Sequence, residues 1–193
     1  MGKGDQTRQT ILDTAVRLAR YHGLSGLSIG AVAASADMSK SGVWAHFKSK
    51  EALQLACMER NGVEFINQVI RPSLAAPRGI RRLESLVQHW MNWYSRPGGC
   101  LFLATANEFD DLDGPLNDRM VADQKDLLDC ISQIVTTAVT EGEFASTTDP
   151  IQIGQEVFGI LMTYNWTHRI LEFPDADKRT WTALNRLIDS LRA

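Results

Sequence analysis

The chain lacks most of what would place it outside the class of ordinary globular proteins. No run of apolar residues approaches the roughly 18 that a membrane-spanning helix needs, and the first ten residues, MGKGDQTRQT, hold no apolar core of a secretory signal. Gln6 stands where a myristoylation signal needs Ser or Thr. There are only three cysteines in 193 residues, Cys57, Cys100 and Cys130, far apart and without a CxxC pair. That excludes a disulfide framework and a zinc ribbon, leaves the thiols as packing residues, and points to a reducing cytoplasm. Six prolines and fourteen glycines are too few for a collagen-like or low-complexity chain. With 44% apolar and 22% charged residues, most of the chain has the composition of a folded domain. No alternating strand pattern bounded by turn residues is present.

What the chain does have is helical periodicity throughout. Ile11, Leu12, Ala15, Leu18 and Ala19 recur at helical spacing and predict a first helix over about 6–22, closed by Gly23 as a left-handed residue. Ser28 and Ser39 read as N-caps of two short helices, with Val32 and Ala33 inward on the first and Val43 and Phe47 inward on the second. A longer helix is expected to stop at Arg71-Pro72. Further helices are predicted from Pro77 to about Arg96, over about 100–108, from Pro115 to about Glu141, from Asp149-Pro150 to about 172, and over about 175–192. The expected fold class is all-α, with about nine helices.

Charge is uneven. Residues 1–50 carry seven Lys/Arg against three acids, a net charge of +4, on a chain whose total is −3. A basic front on an acidic body suits a polyanion partner at the front only. The same segment holds two short helices separated by a tight break, the pattern of a helix-turn-helix, whose second helix enters the DNA major groove. The residue types fit. Lys40 and Ser41 can donate to base edges or phosphates, Gly42 allows close approach, and Trp44 and His46 offer ring N–H groups. Lys50, at the next helix start, fits a phosphate clamp. Together with the capping Ser28 and Ser39, these eight residues are the expected DNA-binding set. On pattern alone, an ordinary helical hairpin remains the other reading.

Enzyme motifs fail on inspection. Gly26-Leu27-Ser28-Ile29-Gly30 matches GxSxG but follows a helix, not a strand, so a capping serine explains Ser28 better. Asp110-Asp111-Leu112-Asp113-Gly114 hints at a calcium loop, yet Met120 falls where the last carboxylate is needed. No Glu is followed three residues later by His, and His22, His46, His89 and His168 are scattered, so neither a di-iron bundle nor a metal site is expected, and no cofactor. In the C-terminal part, Trp90, Trp93, Phe102, Phe109 and Trp166 have the character of an apolar ligand pocket, with Asn107, Asn165 or His168 as polar orienters, or equally of plain core.

The stretch Leu27–Leu53 resembles the DNA-binding domain of the tetracycline-repressor (TetR) family. It has the Ser-capped helix, the run of small residues, the break, Ser39-Lys40, then Trp44-x-His46-Phe47 and Ser49-Lys50-Glu51-x-Leu53. The likeness covers roughly residues 5–55. Two departures stand out: Trp44 replaces the usual tyrosine, and Gly30 occupies a position where many relatives carry a long polar side chain. The resemblance implies a cytoplasmic, homodimeric, ligand-responsive regulator, by family habit a repressor. It would bind a near-palindromic operator and be released by a small-molecule effector of unknown identity. It implies a helix-turn-helix domain over 1–50 and an effector-binding and dimerisation domain over 51–193. The last two helices would pair across the dimer, their stripes Ile153, Val157, Leu161 and Trp181, Leu184, Ile188 forming the seam. The rival reading is a non-catalytic helical protein-interaction module.

Overall fold

The computed structural model describes residues 2–193. Ten α-helical segments follow one another: α1 (Lys3–His22), α2 (Ile29–Ser35), α3 (Lys40–Phe47), α4 (Lys50–Phe65), α5 (Arg71–Leu74), α6 (Ile80–Tyr94), α7 (Leu101–Phe109), α8 (Pro115–Thr140), α9 (Pro150–Asn165) and α10 (Ala176–Leu191). Two π-helical turns, Ile66–Ile70 and Trp166–Ile170, continue α4 and α9. Since α4, the first wide turn and α5 follow one another without a break in the helical assignment, the described residues hold nine helices. The only strand-like pairing among them is an isolated bridge between Phe144 and Arg192.

The sequence explains most boundaries. Ser28 accepts from the Ala31 N–H at 3.1 Å and Ser39 from the Gly42 N–H at 3.0 Å. Asp149 accepts from the N–H groups of Ile151 and Gln152 at 2.9 and 3.3 Å, with Pro150 in the first turn, where no N–H is needed. Two boundaries depart from expectation. The helix continues through Pro72 to Leu74, because a π turn already leaves a carbonyl outside the i→i−4 ladder and a residue without an N–H fits there. α6 starts at Ile80 rather than at Pro77, because Gly79 at φ 81° turns the chain first.

The chain divides into two compact units. One comprises the residues up to Glu64 with Pro97–Gln124; the other comprises Phe65–Arg96 with Lys125–Ala193. This packing division differs from the one expected at residue 50, since α7 and the start of α8 belong with the helix-turn-helix. The first unit has its own core, in which Ile11, Ala15 and Ala19 of α1 meet Val32, Val43, Phe47, Leu53, Cys57, Leu101 and Phe109.

Each unit contains a glycine paired with a distant glutamate. In the first, the Glu108 carboxylate accepts from the Leu24 N–H (3.2 Å) and the Ser25 N–H (2.6 Å). A Cβ on Gly23 would overlap that carboxylate, and Gly23 holds φ 73°, ψ 164°. It is therefore not the left-handed helix cap expected, but sits in a region open to glycine alone. Gln54 and Lys50 bind the carbonyls of Leu24 and Ser25, both at 2.7 Å. The turn before α2 is thus held from α4 and from α7. In the second unit, Glu143 accepts from the Ile80 N–H at 2.6 Å and caps α6, whose own N-cap, Gly79, has no side chain.

Candidate nucleic-acid interface

α2 and α3 are too short to be stable alone and depend on packing. Val32 and Ala33 of α2 and Val43 and Phe47 of α3 are buried in the first unit's core. Between the helices, Asp37 adopts φ 53°, a conformation that short polar side chains tolerate, and Met38 N–H closes the turn on Ala33 C=O at 2.9 Å. Burying one side of α3 leaves Lys40, Ser41, Trp44 and Ala45 exposed on the other. Trp44 is 53% exposed, too much for a large aromatic without a partner to be ordinary core.

The eight expected DNA-binding residues all lie on or beside this helix pair, but with different duties. Ser28 and Ser39 use an oxygen lone pair for their caps, and Ser39 also shares a hydrogen bond with Ser41 Oγ at 3.1 Å. Gly42 is half-buried, and a Cβ there would press on Ser39 Oγ at 3.1 Å, so its smallness serves the cap. His46 is half-buried and tilted against Phe47. Lys50 is exposed, but one ammonium proton is committed to Ser25 C=O. Lys40 and Trp44 are exposed, and their side chains are not committed to a cap or a turn.

Three cations of this unit were not singled out by the sequence pattern. The Arg8 guanidinium lies 5.1 Å from the Phe47 ring centroid, Arg17 reaches Ser35 Oγ at 3.5 Å, and Lys48 caps α3 in the left-handed conformation at φ 59°. The excess of positive charge over 1–50 was the available signal for them. Elsewhere among the unit's described side chains, cations are neutralised: Arg20 by Glu64 at 2.5 Å, Arg60 by Asp13 at 2.8 Å, Arg119 by Asp123 at 2.9 Å. The uncommitted charge therefore gathers around α2 and α3.

The residues expected to line a ligand pocket are distributed over both units. Phe102, Asn107 and Phe109 belong to the first unit. Phe102 and Phe109 are buried there, Phe109 in its core, while Asn107 is exposed and donates to Leu103 C=O of its own helix at 3.1 Å. In the second unit, Trp90 and Trp93 are each 1% exposed and stand edge-on to Phe65, with centroids 4.9 and 5.2 Å away. Trp166 is 57% exposed, turned outward where α9 widens into its π turn. Asn165 is half-buried, and His168 stacks on Tyr164 at 4.9 Å. Burial pushes the Tyr164 hydroxyl up, a shift that its hydrogen bond with Ser95 opposes.

The expected dimer seam needs a similar correction. Ile153, Val157, Leu161, Leu184 and Ile188 are buried inside the second unit and present no surface; Trp181 is half-buried. Between α9 and α10 lies a groove of about 700 Å³ lined by Gly159, Ile160, Thr163, Thr180, Ala183 and Leu187 among others. It is the outward side of the same two helices.

Among the described residues, no group of three His, Cys, Asp or Glu side chains is placed to hold a metal ion, and no helix is long and apolar enough to cross a membrane. Comparisons with known proteins match this geometry. Residues 11–57 match the family described as bacterial regulatory proteins, tetR family, and residues 79–184 match the tetracyclin repressor-like C-terminal domain. The chain belongs to the TetR family of DNA-binding transcriptional regulators, a family of regulators rather than enzymes. It is 21% identical over 168 residues to the HTH-type transcriptional repressor NemR of Escherichia coli K12, covering 85% of this chain and 84% of that protein. A TetR-family regulator from Cytophaga hutchinsonii superposes with a TM-score of 0.86 at 20% identity, covering 100% of this chain and 98% of the other. AibR, solved with isovaleryl coenzyme A and operator DNA, superposes with a TM-score of 0.70 at 22% identity over 96% and 98% of the two chains.

Proposed function

We propose that this protein is a cytoplasmic, homodimeric repressor that binds a near-palindromic operator and releases it on binding a small-molecule effector. The observation that carries the reading is the exposed side of α3, where Lys40 and Trp44 stand open beside Lys48 and Lys50. Two such helices related by a two-fold axis read two half-sites one helical turn apart. Lys40 and Ser41 face the base edges; Trp44, His46, Lys48 and Lys50 engage phosphates and make binding salt-dependent.

The groove between α9 and α10 supports the dimer. Gly159 is exposed with open space above it, Ala183 is small, and the exposed Met162 and half-buried Ile160 and Leu187 add apolar surface. The same helices of a second copy fit there. The effector reading is supported by Trp90, whose indole N–H is buried without a hydrogen-bond partner among the described residues. A buried donor of this kind is normally satisfied, and a bound acceptor would satisfy it. An effector releases DNA only through unequal affinity for the bound and free conformations.

The test is fluorescence anisotropy of labelled DNA flanking this protein's own gene, titrated at two salt concentrations against unrelated DNA. Affinity at least about 10³-fold above that for unrelated DNA establishes a sequence-specific regulator. No binding at low salt by confirmed dimers would refute the DNA reading in favour of an interaction module.

A further inference from the structure

Gly30, the second residue of α2, faces the side chain of Lys40, the first residue of α3. A Cβ on Gly30 would lie 3.1 Å from Lys40 Cε, 3.6 Å from Nζ and 3.9 Å from Cδ. The end of the lysine therefore rests against bare helix backbone. Two ordinary reasons for a glycine do not apply. Its φ is not among the positive values that favour glycine. The three nearest atoms all belong to the lysine tip and none to the backbone of α3, so helix packing would accept alanine. Alanine would also make α2 more stable, since glycine loses more backbone freedom on entering a helix. Among the described residues no hydrogen bond or ion pair ties Lys40 in place. The tip of the lysine lies where a side chain at residue 30 would stand.

We propose that Gly30 is a specificity-determining position of the DNA-reading face: by carrying no side chain it seats the Lys40 ammonium beside the start of α2, and from that seat Lys40 reads a guanine edge. This rests on the DNA-binding reading above. Residues at the N-terminus of a recognition helix meet base edges, and lysine pairs with the O6 and N7 acceptors of guanine. A branched side chain at position 30 fills the seat and turns Lys40 away. Residues 30 and 40 therefore act as one unit, although only one of them touches DNA.

The experiment is selection from a randomised duplex pool with the full-length protein, followed by anisotropy on the enriched sequence. Wild type, Gly30→Val, Lys40→Ala and the double variant are compared, with melting curves as the folding control. Lys40→Ala is expected to lose a guanine preference at particular positions of the site. Gly30→Val is expected to lose the same preference, with affinity for the wild-type sequence falling about 5- to 150-fold, the range one base contact supplies. In the Lys40→Ala background, Gly30→Val should add less than about twofold at those positions. Gly30→Ala, which displaces the lysine tip by only tenths of an ångström, should show a smaller loss at the same positions and serves if the valine variant does not fold. The inference is overturned if the Gly30 variants keep every wild-type preference, if they alter positions that Lys40→Ala leaves alone, or if Lys40→Ala weakens all sequences equally, as a phosphate contact would. If wild type itself enriches no sequence, the DNA reading fails and takes this inference with it.

Discussion

The cap that Glu143 places on α6 allows a quantitative test of a long-range contact. Gly79 combines a glycine-only conformation, φ 81° and ψ −142°, with a carboxylate seated where a Cβ would be. Glu143→Ala removes the acceptor of the Ile80 N–H, a loss of about 1–2 kcal/mol on the scale of helix N-caps. Gly79→Ala forces a side chain into a strained backbone region, about 1–3 kcal/mol, and also evicts the carboxylate, so about 2–5 kcal/mol in total. In the double variant the cap is lost once, not twice. If the sites were independent, the double would cost about 3–7 kcal/mol; shared loss predicts about 2–5, a coupling of about 1–2 kcal/mol. For a chain of this length, 1 kcal/mol shifts the melting temperature by about 2–4 °C. Trp90 and Trp93 are buried in the same unit, so tryptophan fluorescence during urea unfolding follows the transition that matters. Strict additivity would refute the reasoning, because it would mean that the glycine does not make room for the carboxylate.

Three further outcomes follow from the structure. Cys57 is fully buried, and desolvation pushes its thiol up from 9.0 to about 12. Between these values the unfolded thiol ionises while the folded one keeps its proton, so stability falls as pH rises above 9, by on the order of 1 kcal/mol per pH unit from this group. Urea unfolding at pH 8 and pH 11 should show a smaller alkaline loss in Cys57→Ala than in wild type, and an equal loss would dismiss the assignment. Lys50→Ala should weaken binding to all DNA sequences alike and lower the slope of log affinity against log salt by about 1; an unchanged slope removes Lys50 from the phosphate contacts. Leu187→Asp, which places a charge in the α9–α10 groove, should convert dimers to monomers in sedimentation at micromolar concentration, and an unaffected dimer would place the seam elsewhere.

The parts of the fold legible in the sequence are those written in local chemistry. Ser28, Ser39 and Asp149 announce helix starts because a capping side chain acts two or three residues away. Val43 and Phe47 announce the inward side of α3 because they lie one turn apart. The capping glutamates Glu108 and Glu143 were hidden, since the groups they satisfy lie more than sixty residues away and glycine alone marks the place. The apolar stripe of α9, Ile153, Val157 and Leu161, is legible as a stripe, and in the folded chain it is buried inside the second unit. A helix with one side inward and another toward a second subunit is apolar on both, and periodicity does not say which is which. Trp166 was grouped with Trp90 and Trp93 for its residue type, but the π turn sets it apart from them. The eight DNA-facing candidates fell together because helix-turn-helix geometry is itself local. What sequence could not show was which of them are already committed to caps and turns.

The two π turns also bear on how this chain tolerates changes in length. A widened turn holds one residue more than the α-helical ladder needs, so each is a place where one residue can be lost without breaking the helix. Deleting one residue from an ordinary stretch of α4 or α9 would rotate every following side chain by about 100° and turn the buried stripe outward. Deleting one within Ile66–Ile70 or Trp166–Ile170 restores a regular ladder instead. A chain shortened by one residue in each of these two turns would therefore keep its buried stripe in register along each helix.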